Sequence, residues 1–196
     1  MKALDLPEAL GKEFATVAAV WNSEGTTKRV DALLLTWVKY EKQLRRLFCF
    51  LVYQHPKITE QLVESLVSVL VENRNLKPET FIKAINALKV DSVEALIGEH
   101  YARLDKEIRR IKLYRNKLMH GQISGQRITS RQIEQDVRLL VEWVSAVAEG
   151  SHARFGYDGI GRNTYRAAKA NSNIAVVEYP FTNVAEFREW LQGITK

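Results

Sequence analysis

Between Thr26 and Gln54 the apolar residues Leu33, Trp37, Tyr40, Leu44, Leu47 and Leu51 recur in alternating steps of four and three. A helix at 3.6 residues per turn stacks these positions on one face, whereas a strand would repeat its buried residues every second position. The stripe therefore predicts a long helix. It stops at His55-Pro56, because the residue before a proline is pushed out of helical backbone space. The same rhythm predicts a helix over about 59–72 (Leu62, Leu66, Val69, Leu70), a second over about 92–120, and a third from Pro78, a favoured first-turn residue, to about Leu88. A further helix opens at the capping box Thr129-Ser130-Arg131-Gln132 and carries Ile133, Val137, Leu140, Val144 and Val147 to about Glu149. Helices joined by short loops make a helical bundle, so the expected fold class is mainly α.

Composition narrows the setting. A chain of 196 residues, 46% hydrophobic and 27% charged, has the balance of a soluble globular protein with one core. The longest apolar run, Leu47 to Tyr53, is too short to cross a bilayer, and the start Met1-Lys2-Ala3-Leu4-Asp5 lacks an apolar export signal. A single cysteine, Cys49 within Leu47-Phe48-Cys49-Phe50-Leu51, forms no internal disulfide and fits a core thiol in a reducing compartment, so a cytoplasmic protein is expected. After Gly150 the texture changes. Phe155 to Asn163 is rich in turn formers, Ile174 to Tyr179 reads as a short strand before Pro180, and a last helix covers about 184–191. The expected organisation is a helical domain over 1–150 and a C-terminal strand-plus-helix extension over 151–196 packed on it.

The segment before His120 concentrates the chemistry. Ile97, Tyr101, Leu104, Ile108 and Ile111 form a stripe whose continuation lands on Arg115 and then Leu118, so a cation stands where an apolar residue is expected. A charge on a buried stripe is costly unless it is paired or faces a ligand. Arg109, Arg110, Lys112, Arg115 and Lys117 crowd the nine positions from 109 to 117, although pairs such as Asp105 with Arg109 and Glu99 with Arg103 would also suit a solvated face. The net charge of +6 and pI of 9.4 favour a polyanionic partner.

An arginine and a histidine are the side chains that metal-free RNA cleavage needs. Histidine can take the proton from a ribose 2′-hydroxyl near neutral pH, and a guanidinium can hold the phosphate as charge builds on it. On an ideal helix Asn116 and His120 share a face, while Arg115 and His120 lie about 140° apart. A shared site then needs the arginine to curl round, the helix to unwind near Gly121, or two copies of the motif to meet. Asn116 is placed to orient the imidazole. Arg162, Tyr165, Arg166 and Lys169 form a basic-aromatic cluster able to stack a base and contact phosphates, though a solvated surface is the commoner origin of such a cluster. Gly156 to Gly161 has the wrong glycine order for a dinucleotide loop, and no zinc, phosphate-loop or calcium-loop motif is present. Neither a cofactor nor a metal is expected.

The string Tyr114-Arg115-Asn116-Lys117-Leu118-Met119-His120-Gly121, inside a helical chain of this size, resembles the signature of the HEPN superfamily: arginine, a polar residue, three more residues, then histidine. The resemblance implies a HEPN-like bundle, a homodimer whose motifs face a shared cleft, and metal-independent endoribonuclease activity in toxin-antitoxin or phage-defence systems. It implies catalytic roles for Arg115 and His120 with Asn116 as polar companion, RNA as substrate and an antitoxin protein as a further partner; the basic run itself makes Arg109, Lys112 and Lys117 candidate RNA contacts. Gln122 stands where one toxin branch carries a tyrosine, which argues against the branch paired with a nucleotidyltransferase antitoxin. The alternatives are a non-catalytic HEPN module that binds nucleotide, dimerises or holds a protein partner, and a helical adaptor in which the motif is coincidental.

Overall fold

All six residues of the first stripe, Leu33, Trp37, Tyr40, Leu44, Leu47 and Leu51, are buried in the computed structural model, and all lie on one helix, α2 (Lys28–Tyr53). The structure describes residues 4–73, 75–88, 91–119, 128–161 and 178–195. The other helices, in chain order, are α1 (Ala15–Trp21), α3 (Val63–Glu72), α4 (Pro78–Ala87), α5 (Val93–Ile97), α6 (Tyr101–Met119), α7 (Ser130–Phe155) and α8 (Val184–Thr195). The protein is mainly α, and no strand occurs among the described residues. The strand expected over 174–179 lies, but for its last two residues, outside them. No helix among the described residues is long and apolar enough to cross a membrane.

Two helices differ from their expected bounds for identifiable reasons. The segment expected to be one helix over about 92–120 is broken at Gly98, whose φ of 71° belongs to left-handed backbone, so α5 ends and α6 begins after a short 3₁₀ turn at Gly98–His100. The helix expected to end near Glu149 instead passes through Gly150 and runs to Phe155. Glycine serves there as a contact point: a Cβ at Gly150 would lie 2.1 Å from the Leu96 carbonyl oxygen. The stop comes at Gly156, with φ 76° and its N–H donating to the His152 carbonyl. Helix α1 went unassigned from sequence, although Val17 and Trp21 are both buried one turn apart on it.

The chain divides into two compact units, Met1–Tyr40 with Ile97–Ala146, and Glu41–Leu96 with Val147–Lys196. In the first, Trp37, Tyr40, Tyr101 and Trp143 form a chain of ring contacts, with Trp37 edge-on to Tyr40 at 5.2 Å and Tyr40 edge-on to Trp143 at 5.9 Å. In the second, Phe48 contacts Phe81 at 5.7 Å and stacks near Phe187 and Trp190 of α8, both at 6.3 Å. Asn183 caps α8 by accepting from the Glu186 N–H at 3.0 Å, while Glu186 accepts from the Thr182 N–H at 2.7 Å. The Thr182 hydroxyl, which donates to the Glu186 carboxylate at 2.9 Å, and the Thr182 N–H hold that exposed carboxyl below its usual range.

His55 closes the same unit. Its Nε2–H donates to the Phe181 carbonyl at 2.7 Å, its Nδ1 accepts from the Lys57 N–H at 3.0 Å, and its ring stacks on Phe181. The histidine that follows α2 is thus a packed and satisfied core group. Burial pushes the Cys49 thiol up to about 11, against the opposing charge of Arg45.

Two outcomes are expected from this packing. Gly150→Ala forces a methyl against a backbone carbonyl, and it should lower the unfolding free energy by about 1–3 kcal/mol, as overpacking does; a urea midpoint equal to that of the wild type would contradict the contact. At pH 8 Cys49 should react with a disulfide reagent on the order of a hundredfold more slowly in the native protein than in the unfolded chain, because the thiolate is the reactive form. Equal rates in stopped-flow absorbance would show the thiol to be unburied.

Candidate functional site

The helix that bears the motif is fixed by a carboxylate that the sequence did not single out. Asp136, on α7, has no exposed surface. Its oxygens accept from both terminal nitrogens of Arg110, from the hydroxyl of Tyr114 and, at 3.0 Å, from Nε2 of Gln132. Arg110 also donates through Nε to Glu107 at 2.8 Å. Burial alone would lower the Arg110 pKa, but its bonds to Asp136 and Glu107 raise it, so the guanidinium stays charged. Burial first, and then the hydrogen bond to Asp136, raise the phenol of Tyr114, which stays neutral and a donor.

The signal for Asp136 was present. Ile133, Asp136 and Leu140 fall on one helical stripe, and the argument that marked Arg115 applies equally to a carboxylate among apolar residues. Gln132 was read as half of a capping box. Its N–H does bond Thr129 Oγ1 at 3.1 Å, but its side chain turns toward Asp136 rather than back to the cap.

Arg110 and Tyr114 lie one turn apart on α6, so their common anchor sets the rotation of the helix about its axis. With that setting Leu104, Ile108, Ile111 and Tyr114 are buried. The stripe steps from Ile111 by three to Tyr114, where the sequence pattern equally allowed a step of four to Arg115. Arg115 is half-buried beside it. Its guanidinium carbon stands 5.0 Å from the centre of the Trp37 ring, and its Nη1 donates to Asn116 Oδ1 at 3.0 Å.

The remaining candidates are dispersed. Arg109 pairs with Asp105 at 2.8 Å, as its spacing predicted, whereas Arg103 pairs with Glu142 of α7 rather than with Glu99. Around the axis of α6, Lys112 lies about 60° from Arg115, Arg109 about 120° and Lys117 about 160°. The structure therefore brings Arg115 and Asn116 together and spreads the basic residues over the helix. His120 lies outside the described residues, as do Arg162, Tyr165, Arg166 and Lys169.

The turn before that last cluster is a docked loop. Gln43 donates to the Asp158 carbonyl at 3.1 Å and Arg46 to the Ile160 carbonyl, and Asp158 Oδ1 accepts from the Ile160 N–H at 2.8 Å. Gly159, with φ 74°, lies so close to Gln43 that a Cβ would stand 2.8 Å from its side chain. These glycines serve a tight turn against α2. Among the described residues no group of three or more His, Cys, Asp or Glu side chains is placed to hold a metal ion.

Comparison with protein-family models, with curated proteins and with solved structures finds no match to this chain.

The Asp136 network yields a direct expectation. Asp136→Ala strands the partly buried Arg110 and the hydroxyl of Tyr114. It should cost about 3 kcal/mol, the low end for a broken buried pair because Arg110 retains some contact with water. Chemical denaturation with a loss below about 1 kcal/mol would show that the network is not an anchor.

Proposed function

We propose that the protein is a HEPN-like endoribonuclease that cleaves RNA without a metal ion, working at the C-terminal end of α6. The observation that carries this reading is the pose of Arg115: a half-buried cation gripped by Trp37 and Asn116, five positions before a histidine. A guanidinium held in place stabilises developing phosphate charge without reorganising at the moment of reaction. His120 then acts as general base on the 2′-hydroxyl, and the attack leaves a 2′,3′-cyclic phosphate and a 5′-hydroxyl.

The charge of the helix supports RNA as the partner. Tyr101–Met119 holds seven basic residues against two acidic ones, a net +5 within a chain of net +6. Leu113 and Met119 stand 67% and 53% exposed on the same helix, which supports its pairing with a second copy, so that two motifs share a cleft. An antitoxin-type protein partner and a defence role remain part of this proposal through the motif alone. A second reading, a non-catalytic module, is favoured by one observation: the contact with the Trp37 ring gives Arg115 a packing role that needs no substrate.

Incubation of the purified protein with RNA in EDTA separates the two. Cleavage should persist, His120→Ala should lose about 10²- to 10⁴-fold in rate, and Arg115→Ala should raise the barrier by about 3–4 kcal/mol with the fold retained. Wild-type rates in His120→Ala would remove the motif from the mechanism, and loss of cleavage in EDTA would assign the reaction to a metal.

A further inference from the structure

The residue beneath Arg115 has no role in the sequence motif, yet its placement is specific. Trp37 is 1% exposed on α2, its ring braced edge-on by Tyr40 at 5.2 Å, with the Arg115 guanidinium 5.0 Å from its centre. All five donors of a guanidinium lie in its plane. The aromatic ring beneath the guanidinium therefore limits where the group can sit. Asn116 holds the same group from one edge, through Nη1 at 3.0 Å. The ring contact and the Asn116 bond together restrict the guanidinium, and so reduce the ordering cost of gripping a phosphate.

We propose that Trp37 is a positioning residue for Arg115: it holds the guanidinium in the place where it meets an RNA phosphate. This rests on the reading of the α6 end as an RNA site. Trp37 touches no substrate itself and acts through Arg115. Charge at position 115 is then insufficient without the ring, and a lysine, a compact point charge without the guanidinium's fixed fork of donors, cannot replace the arginine.

The test measures binding of a 2′-O-methyl RNA oligonucleotide, which cannot be cleaved through its 2′ oxygen, to the full chain and its variants. Arg115→Ala and Trp37→Leu should each weaken binding about five- to tenfold, the range of a cation–π contact, and the double variant should lose no more than either single one. Trp37→Phe, which keeps an aromatic face, should stay within about twofold of wild type. Arg115→Lys leaves the core intact, so it covers the case in which Trp37→Leu does not fold; it should lose as much as Arg115→Ala. Additive losses in the double variant, or wild-type binding by Arg115→Lys, would overturn the positioning role. Non-additive losses in a wild type that binds but releases no cyclic phosphate would support positioning and refute cleavage. A wild type that binds no RNA would overturn both.

Discussion

A carboxylate wholly removed from water must be satisfied where it stands, and Asp136 is satisfied by Arg110, Tyr114 and Gln132. Apolar residues of the same volume could pack as well or better, since a buried ion pair contributes little net stability after desolvation. They would not discriminate one rotation of α6 from its neighbours. Four directed hydrogen bonds to one small group tolerate a narrow range of settings, and that setting sends Leu104, Ile108 and Ile111 into the core. The pose of Arg115 over Trp37 follows from the same rotation.

Much of the fold was legible because helical burial is periodic. The stripe from Leu33 to Leu51 predicted α2 to within two residues at each end, Pro78 marked the start of α4, and Asp105 found Arg109 one turn away. Legibility failed where a residue's role depends on what approaches it. Gly150 looks like a helix stop until the Leu96 carbonyl is set against it, and Gly98 looks helical until its positive φ is known. The site was legible in part. A cation at the edge of the apolar stripe was visible, but a rhythm of threes and fours cannot decide between Tyr114 and Arg115 as the buried member. The choice is made by Asp136, on another helix and more than twenty positions away, and by the aromatic ring of Trp37 (Tyr114 to Asp136 spans 22 positions).

The contacts of Arg115 give it a structural role, and the proposed function gives it a chemical one. A guanidinium placed over an indole can serve packing, and the same contact would hold a phosphate-binding arginine ready before its substrate arrives. The two roles differ in what happens when RNA is present. A packing arginine is indifferent to it; a phosphate-binding one is not.

The guanidinium can be observed directly. In a ¹H–¹⁵N spectrum the Arg115 Nε–H should resonate upfield of ordinary arginines, displaced by the ring current of Trp37, and should shift again when a non-cleavable RNA oligonucleotide is added. The account predicts both displacements in the wild type and the loss of the first in Asp136→Asn with helicity retained. An Arg115 signal at the ordinary position, unmoved by RNA, would contradict it.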